Sequence, residues 1–377
     1  MEFPKKPLQR LENRKANNAL RELKMHTPLI DFSSNDYLGF SKSEIIFNET
    51  HKFLVGHNIT ENGATGSRLL SGNHPLFNIV ESMISNFHKS ESALIFNSGY
   101  DANVGFFSCL TQRGDIILYD EYIHASIRDG ISLSNAKAYK FKHNDLESLS
   151  EMLNRLPYDN AYIVTESVFS MDGDSPDLTA IAEISKKNNA FLVIDEAHAI
   201  GVFGERGAGL VQDLNLEHIV FAHIVTFGKA LGCHGAAILG SEELKHYLVN
   251  FARSFIYTTA LPPHSLATIH TAYHQLIENS NKNKLHENIS FFKSEMVKNK
   301  LNHTFIESNS AIQSCIISGN EKVKTISKNL QNHGFDVKPI LSPTVPVGQE
   351  RLRFCLHSYN SEQEISKVLE LLTTFVS

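Results

Sequence analysis

The chain alternates short apolar runs with stretches of helical periodicity, and this alternation predicts its architecture. From about Pro75 onwards the runs are rich in Ile, Val and Phe, and most are joined by connections of helix length. Six such runs occupy residues 93–96, 115–119, 161–165, 190–195, 219–227 and 235–239. Apolar strands that alternate with helices are typical of a mainly parallel sheet covered by helices on both faces. The pattern therefore predicts an α/β fold.

The two ends of the chain have different patterns. Residues 8–23 carry apolar side chains at helical spacing, and an extended stretch follows at 29–32. After Pro262 come two long helical stretches, then extended stretches at 311–318, 334–339 and 351–356 with a helix between the first two, and a last helix from Ser361. We predict an N-terminal helix and strand segment (1–45), a large cofactor-binding α/β domain (46–280) and a smaller C-terminal α+β domain (281–377).

Composition narrows the class of protein. The 377 residues are 42% hydrophobic and 20% charged, as in an ordinary globular protein, and the net charge of -6 gives no basic field for nucleic acid or an anionic membrane. The start of the chain lacks the apolar core of a signal peptide, and no apolar run approaches the ~18 residues of a membrane span, so we expect a cytoplasmic protein. The four cysteines are far apart in sequence, which argues against zinc or redox motifs.

The ends of the predicted strands carry the candidate chemistry, because ligands of parallel α/β sheets bind outside the carboxyl ends of the strands. The first run is followed by Asn97-Ser98-Gly99-Tyr100 and a helical pattern, which is a seat for a phosphate at a helix N-terminus. An ordinary Ser-Gly turn with a capping serine is the alternative. Later runs are followed by His124, by the polar stretch 166–174, by Asp195 with His198, and by Lys229 between glycines.

One ligand, pyridoxal phosphate (PLP), accounts for these strand ends together. PLP needs an amine for its aldehyde, an acid at its pyridine nitrogen, a flat group against its ring and donors for its phosphate. Lys229 can be the amine, Asp195 the acid and His124 the flat group. Gly99 and Tyr100 can contribute to the phosphate site, and His198 can hydrogen-bond the ring oxygen.

Four blocks resemble the α-oxoamine synthases, a class II aminotransferase-like family of PLP fold type I. The blocks at 34–39, 63–72, 195–198 and 226–232 occur in the order found in that family. The resemblance implies a PLP-dependent transferase fold with a large domain built on a mainly parallel seven-stranded sheet, plus a smaller C-terminal α+β domain.

The resemblance also implies residue roles. It implies that Lys229 holds PLP as a Schiff base and acts in catalysis with His124 and Asp195. The implied cofactor contacts are Gly99, Tyr100, His124, Ser170, Asp195, His198, Thr226, Lys229, Thr258 and Thr259. Thr258 and Thr259 match a stretch that reaches the phosphate of the neighbouring subunit, which implies a homodimer. The implied substrate contacts are Arg21, Asn35, His124 and Arg353, of which Arg353 would grip the amino-acid carboxylate. No metal is implied.

Within the family, the stretches 67–72 and 168–174 are most similar to one branch. That branch condenses L-alanine with pimeloyl-CoA or a pimeloyl carrier protein to give 8-amino-7-oxononanoate, CO2 and free thiol in biotin biosynthesis. Glycine C-acetyltransferase and serine palmitoyltransferase activities stay open, because the choice of amino acid depends on about 1 to 3 kcal/mol in a small pocket.

Other classes fit the sequence less well. Asp-Glu-Ala-His at 195–198 also resembles a helicase signature, but the chain has no Gly-x4-Gly-Lys-Ser/Thr loop for ATP phosphates. The glycines between 201 and 209 do not open a helical pattern, which argues against a dinucleotide site. Nineteen histidines include no His-Glu-x-x-His metal motif. A non-enzymatic subunit of the same fold would be expected to lack Lys229.

Overall fold

A computed structural model describes residues 2–21, 23, 28–278 and 280–376. Its strands are β1 Ile30–Asp31, β2 Ser92–Phe96, β3 Ile116–Asp120, β4 Lys137–Phe141, β5 Ala161–Glu166, β6 Phe191–Asp195, β7 Val220–Thr226, β8 Ala236–Gly240, β9 Ile312–Ile316, β10 Phe335–Asp336, β11 Lys338–Ile340 and β12 Arg351–Cys355. Its helices are α1 Lys5–Ala16, α2 Glu44–Gly56, α3 Leu76–Phe87, α4 Gly99–Leu110, α5 Ala125–Ser132, α6 Leu146–Arg155, α7 Leu178–Lys187, α8 Leu210–Asp213, α9 Glu242–Phe251, α10 Arg253–Ile256, α11 Pro263–Glu278, α12 Asn281–Lys298, α13 Asn320–Asn332 and α14 Glu362–Val376, with a 3-10 turn at Phe40–Lys42.

A seven-stranded sheet forms the centre of the molecule. Its strand order is β2-β8-β7-β6-β5-β3-β4, and β8 runs antiparallel to both of its neighbours while the other pairings are parallel. The expected mainly parallel seven-stranded sheet is confirmed. Six of these strands coincide with the six apolar runs. The seventh, β4, lies at one edge of the sheet, reads Lys-Ala-Tyr-Lys-Phe and buries only Phe141 fully.

The C-terminal part contains a second sheet. Strands β11, β12 and β9 form an antiparallel sheet in that order, and helices α12, α13 and α14 accompany it. Strand β1, from the N-terminal part, pairs in parallel with β10. The N-terminal segment is therefore attached beside the C-terminal sheet, which brings Asn35 close to β12.

The first helix differs from the expectation. The apolar spacing predicted a helix over 8–23, whereas α1 spans Lys5–Ala16. The chain leaves the helix at Asn17, and Asn18 has a φ of 48°, which a continuing helix does not allow. Within the described residues, no helix is both long and apolar enough to cross a membrane.

Candidate active site

Three neighbouring strands end in polar side chains at one edge of the central sheet. Glu166 and Asp195 are direct partners at the ends of β5 and β6, and Asp195 pairs with Ile224, two residues before Thr226 at the end of β7. Lys229 follows β7 by three residues. The sequence places these groups together because parallel strands end at the same edge of a sheet.

The carboxylate of Asp195 is held from two sides. Its Oδ2 accepts a hydrogen bond of 2.9 Å from Nδ2 of Asn103, and its Oδ1 accepts one of 2.9 Å from the backbone N–H of Ala197. The same Nδ2 of Asn103 donates to Oγ of Ser126 at 3.0 Å. Asn103 lies one turn inside α4 and is buried, so this helix orients the carboxylate.

His124 is fixed as the N-cap of α5. Its Nδ1 accepts from the backbone N–H of Ser126 at 3.2 Å, and the backbone N–H of His124 donates to Oε1 of Glu166 at 2.5 Å. Desolvation lowers the pKa of His124, and the nearby Lys229 lowers it further, against the opposing effect of Asp195. A neutral ring that accepts at Nδ1 carries its proton on Nε2.

Lys229 lies in a tight loop between β7 and β8. The backbone N–H of Gly232 donates to the carbonyl of Lys229 at 2.8 Å, and that of Cys233 donates to Phe227 at 2.8 Å. Gly232 has a φ of 61°, and a Cβ there would clash with the backbone of Ser41, so this position requires glycine.

The carboxylates near Lys229 do not offset the effect of burial on its pKa. Burial lowers the pKa of Lys229 even though the carboxylates of Asp195 and Glu166 oppose the change. Burial also raises the pKa of Glu166, and Asp195 raises it further. Lys229 is therefore an amine that loses its proton more readily than an exposed lysine, as a nucleophile or base must.

The N-terminus of α4 provides a seat for an anion. Oγ of Ser98 accepts from the backbone N–H of Asp101 at 3.1 Å and caps the helix that begins at Gly99. A Cβ on Gly99 would lie 3.4 Å from Oγ1 of Thr226, so the helix end and this hydroxyl face one another. Nδ2 of Asn97 donates to Oγ1 of Thr258 at 3.0 Å, which brings Thr258 to the same place.

Two expected phosphate contacts are placed less directly. Tyr100 is exposed, and its hydroxyl donates to Oδ2 of Asp129 at 2.5 Å, so its backbone N–H is the group that faces the anion seat. Thr259 is exposed, and its carbonyl accepts from Nδ2 of Asn97 at 2.7 Å.

Arg353 organises the neighbouring part of the site. From β12, its Nε donates to the carbonyl of Ser170 at 2.7 Å, its Nη2 to Oδ1 of Asn35 at 3.0 Å and its Nη1 to Sγ of Cys355 at 2.9 Å. Oδ1 of Asn35 also accepts from the hydroxyl of Tyr37 at 3.2 Å.

The hydroxyl of Tyr37 lies 2.7 Å from Nδ1 of His198. The structure thus brings Asn35, Ser170, His198 and Arg353 into one connected group.

For one expected site residue, Arg21, the described part of the chain shows no contact with this group. Arg21 is exposed in a coil segment, and within the described part of the chain it makes no hydrogen bond or ion pair. Four further residues make contacts in the candidate site and were not predicted from the sequence: Tyr37, Asn103, Glu166 and Cys355. Glu166 could have been found from the sequence, since it opens the polar stretch after a strand. Asn103 lies inside a helix, and its local sequence does not mark it as a site residue.

The residues present fit PLP. A carboxylate held by two donors suits a pyridinium nitrogen, a lysine of lowered pKa suits an aldehyde, and a capped helix start beside a threonine hydroxyl suits a phosphate. The fold and these side chains define a PLP-dependent enzyme of the transferase type.

Comparison with known proteins gives the family. A family model described as aminotransferase class I and II matches residues 27–372. The chain belongs to this family, and a curated relative within it, 40% identical over 378 residues, is the 8-amino-7-oxononanoate synthase of Emericella nidulans. That alignment covers 92% of this chain and 89% of the relative.

Two solved structures are similar along most of their length. The 8-amino-7-oxononanoate synthase of Francisella tularensis has a TM-score of 0.77 and 31% identity, and the match covers 92% of this chain and 98% of that one. A serine palmitoyltransferase from S. paucimobilis, solved with PLP and myriocin, has a TM-score of 0.88 and 25% identity over 98% and 96% of the two chains. The cofactor is PLP, and the expected relationship to the α-oxoamine synthases is confirmed.

Proposed function

We propose that this enzyme condenses L-alanine with a pimeloyl thioester, releasing CO2 and free thiol, to give 8-amino-7-oxononanoate in biotin biosynthesis. The observation that carries the proposal is the joint placement of Lys229, Asp195 and His124 beside the Arg353 group. The first three can serve a PLP-bound amino acid, and Arg353 can bind its carboxylate. The names of the curated relative and of the Francisella structure support the choice of substrates.

Each residue has a role that follows from its surroundings. When bound, PLP supplies an electron sink for the bonds to the amino-acid Cα. Asp195, held by Asn103, would pair with the pyridine nitrogen and keep it protonated. Lys229 would hold the cofactor through its amine, and this amine, once the amino acid has displaced it, would take the proton from the amino-acid Cα.

His124 has a separate role at the reacting centre. Its ring would lie against the cofactor, and the N–H on Nε2 would donate to the oxygen of the thioester carbonyl as charge develops there. Gly99, Tyr100 and Thr226 would hold the phosphate, while Ser170 and His198 would contact the cofactor. Arg353, aligned by Asn35 and the carbonyl of Ser170, binds the amino-acid carboxylate through two N–H groups.

The proposal extends to a homodimer located in the cytoplasm, with Arg21 as a further substrate contact. Thr258 and Thr259 of one subunit would reach the phosphate site of the other. Within one chain, Thr258 hydrogen-bonds to Asn97 beside the α4 N-terminus, so the alternative is that it serves the phosphate of its own chain.

Thiol release from pimeloyl-CoA by the PLP-loaded enzyme tests this function. L-alanine, glycine and L-serine are compared in parallel, and the product is identified by its mass. Fast release with alanine and an aminooxononanoate product support the proposal. Release only with glycine or serine would assign the enzyme to a related activity of the same family. Serine is the second candidate substrate because of the similarity to serine palmitoyltransferase.

Lys229→Ala is the matched inactive variant. It is expected to lose the visible absorbance of lysine-bound PLP and to lose turnover by several orders of magnitude, because both covalent attachment and proton removal depend on this amine. Full turnover by Lys229→Ala would refute the assigned role.

A further inference from the structure

A cavity of about 390 Å³ opens beside the candidate active site. His124 and Ser170 line it on the side of the reacting groups, and Met171, Pro343 and Pro346 contribute apolar surface to its walls. A cavity of this kind can take a short hydrocarbon chain attached to the reacting carbonyl.

Three cationic side chains also line the cavity, and they differ in their partners. Lys140 lies 3.8 Å from Oε2 of Glu121, and the buried Arg351 forms an ion pair with Asp172. Within the described residues the guanidinium of Arg128 makes no ion pair or hydrogen bond. Arg128 is therefore the cation in this cavity whose charge is still available to a ligand.

The position of Arg128 on its helix points it to the same side as His124. His124 caps α5, and Arg128 lies four residues later, so the two side chains share one face of the helix, about 6 Å apart along its axis. The positive charge of Arg128 acts on the imidazole of His124, since it contributes to lowering the pKa of His124. The guanidinium thus stands one helical turn from the reacting centre.

We propose that Arg128 binds the distal carboxylate of the acyl donor, so that the enzyme selects the monothioester of a dicarboxylic acid. This inference rests on the proposed function and identifies the residue that binds the far end of the acyl donor. The apolar walls take the methylene groups, and the planar guanidinium takes the two carboxylate oxygens at once. A simple fatty thioester would leave this cation without a partner.

The test compares pimeloyl-CoA with heptanoyl-CoA, in which a methyl group replaces the distal carboxylate. Equilibrium dissociation constants are measured first, and kcat/KM with L-alanine second. The wild-type enzyme is expected to prefer pimeloyl-CoA. In Arg128→Gln this preference should fall about 10- to 100-fold, which is the range for a hydrogen bond to a charged group.

Two further variants control the comparison. Arg128→Lys keeps the charge but loses the paired donors, so its preference should lie between those of wild type and Arg128→Gln. Lys142→Gln removes a charge from an exposed position outside the cavity lining, and it should keep the wild-type preference. Thermal melting checks that all three variants are folded.

Three outcomes would overturn the inference. The first is a wild-type enzyme that binds the two donors equally well. The second is an Arg128→Gln variant that binds both donors as tightly as the wild type does. The third is an equal loss for both donors, which would mean that Arg128 contacts the phosphates of CoA.

A pimeloyl thioester of N-acetylcysteamine, which has no phosphate, must show the same Arg128→Gln penalty. Wild-type binding of pimeloyl-CoA without thiol release on addition of any of the three amino acids would refute the proposed function alone.

Discussion

Tyr37 connects the two halves of the candidate site. Its hydroxyl lies 2.7 Å from Nδ1 of His198 and donates at 3.2 Å to Oδ1 of Asn35, which in turn accepts from Arg353. Tyr37 is fully buried, and burial raises its pKa, so the hydroxyl stays protonated. The orientation of Arg353 is therefore tied to that of His198 through Asn35 and Tyr37.

Tyr37→Phe is expected to weaken amino-acid binding more than it slows the chemical step. Without the hydroxyl, Asn35 loses one of its donors and His198 loses its partner, so Arg353 is held less firmly. We expect the KM for L-alanine to rise about tenfold and the free energy of unfolding to fall by about 1 kcal/mol. Steady-state kinetics and denaturant unfolding measure the two effects.

A cofactor signal separates positioning from mere loss of stability. The pH dependence of the bound PLP absorbance should shift in Tyr37→Phe, because His198 is the partner of this hydroxyl and is a proposed cofactor contact. Tyr139→Phe, on the edge strand β4, should leave KM and absorbance as in wild type. If Tyr37→Phe lost stability but kept both the KM and the absorbance profile, the hydroxyl would have a structural role only.

Individual residues were predictable from the sequence where a strand end exposed them. Asp195 and Lys229 follow apolar runs, so their residue types stand out against their neighbours. Asn103 and Tyr37 act through contacts with partners far away along the chain, and nothing in their local sequence marks these contacts. Such residues can be found only when packing has brought helix and strand together.

At the scale of secondary-structure elements, the contacts of His143 with Asp120, Asp174 and Tyr122 form a clamp that joins three connecting segments. His143 follows β4; its Nδ1 lies 2.9 Å from Oδ1 of Asp120 at the end of β3, and its Nε2 lies 2.8 Å from Oδ2 of Asp174. Its ring stacks on Tyr122 with centroids 4.4 Å apart. The clamp therefore holds the loop that carries Ser170 against the end of the sheet.

The clamp should depend on pH. Burial lowers the pKa of His143, but hydrogen bonds to Asp120 and Asp174 outweigh it and raise the pKa to about 9. Since this value lies above the unfolded value of about 6.5, the stabilisation is fully present below pH 6.5 and is lost as the pH rises through about 9. We expect His143→Gln to cost on the order of 2 kcal/mol of unfolding free energy at pH 6.

Unfolding curves of wild type and His143→Gln between pH 6 and pH 10 measure the effect. The difference between them should shrink with rising pH. His218→Gln, at an exposed position, should show a small and constant difference. A His143→Gln difference that stays constant over this range would mean that the ring is neutral and only packs.

Elements were predictable where burial shaped their sequence. The six apolar runs became strands because those strands are buried, whereas β4, at the sheet edge, has too much exposed surface to read as a strand. The helix at the N-terminus was predicted too long, since Leu20 and Leu23 continue the spacing after α1 has ended. Periodicity alone does not reveal the asparagine pair that ends it.

One surface of the whole molecule carries exposed apolar side chains beside the phosphate seat. Leu70 is 85% exposed and Tyr257 is 73% exposed, in two segments joined by a hydrogen bond of 3.0 Å from the backbone of Ala260 to Gly66. Thr258 and Thr259 lie in the second segment. A second copy of this chain packed here would cover the apolar groups and bring the threonines to the edge of its own site.

Subunit complementation tests this arrangement. Lys229→Ala and a Thr258→Ala/Thr259→Ala double variant are each expected to have low activity alone. When they are co-expressed, a mixed dimer contains one site with an intact lysine from one chain and intact threonines from the other, so up to about one quarter of the wild-type activity should return. If the threonines instead serve the phosphate of their own chain, beside Asn97, every lysine-bearing site in the mixture lacks them and mixing restores nothing.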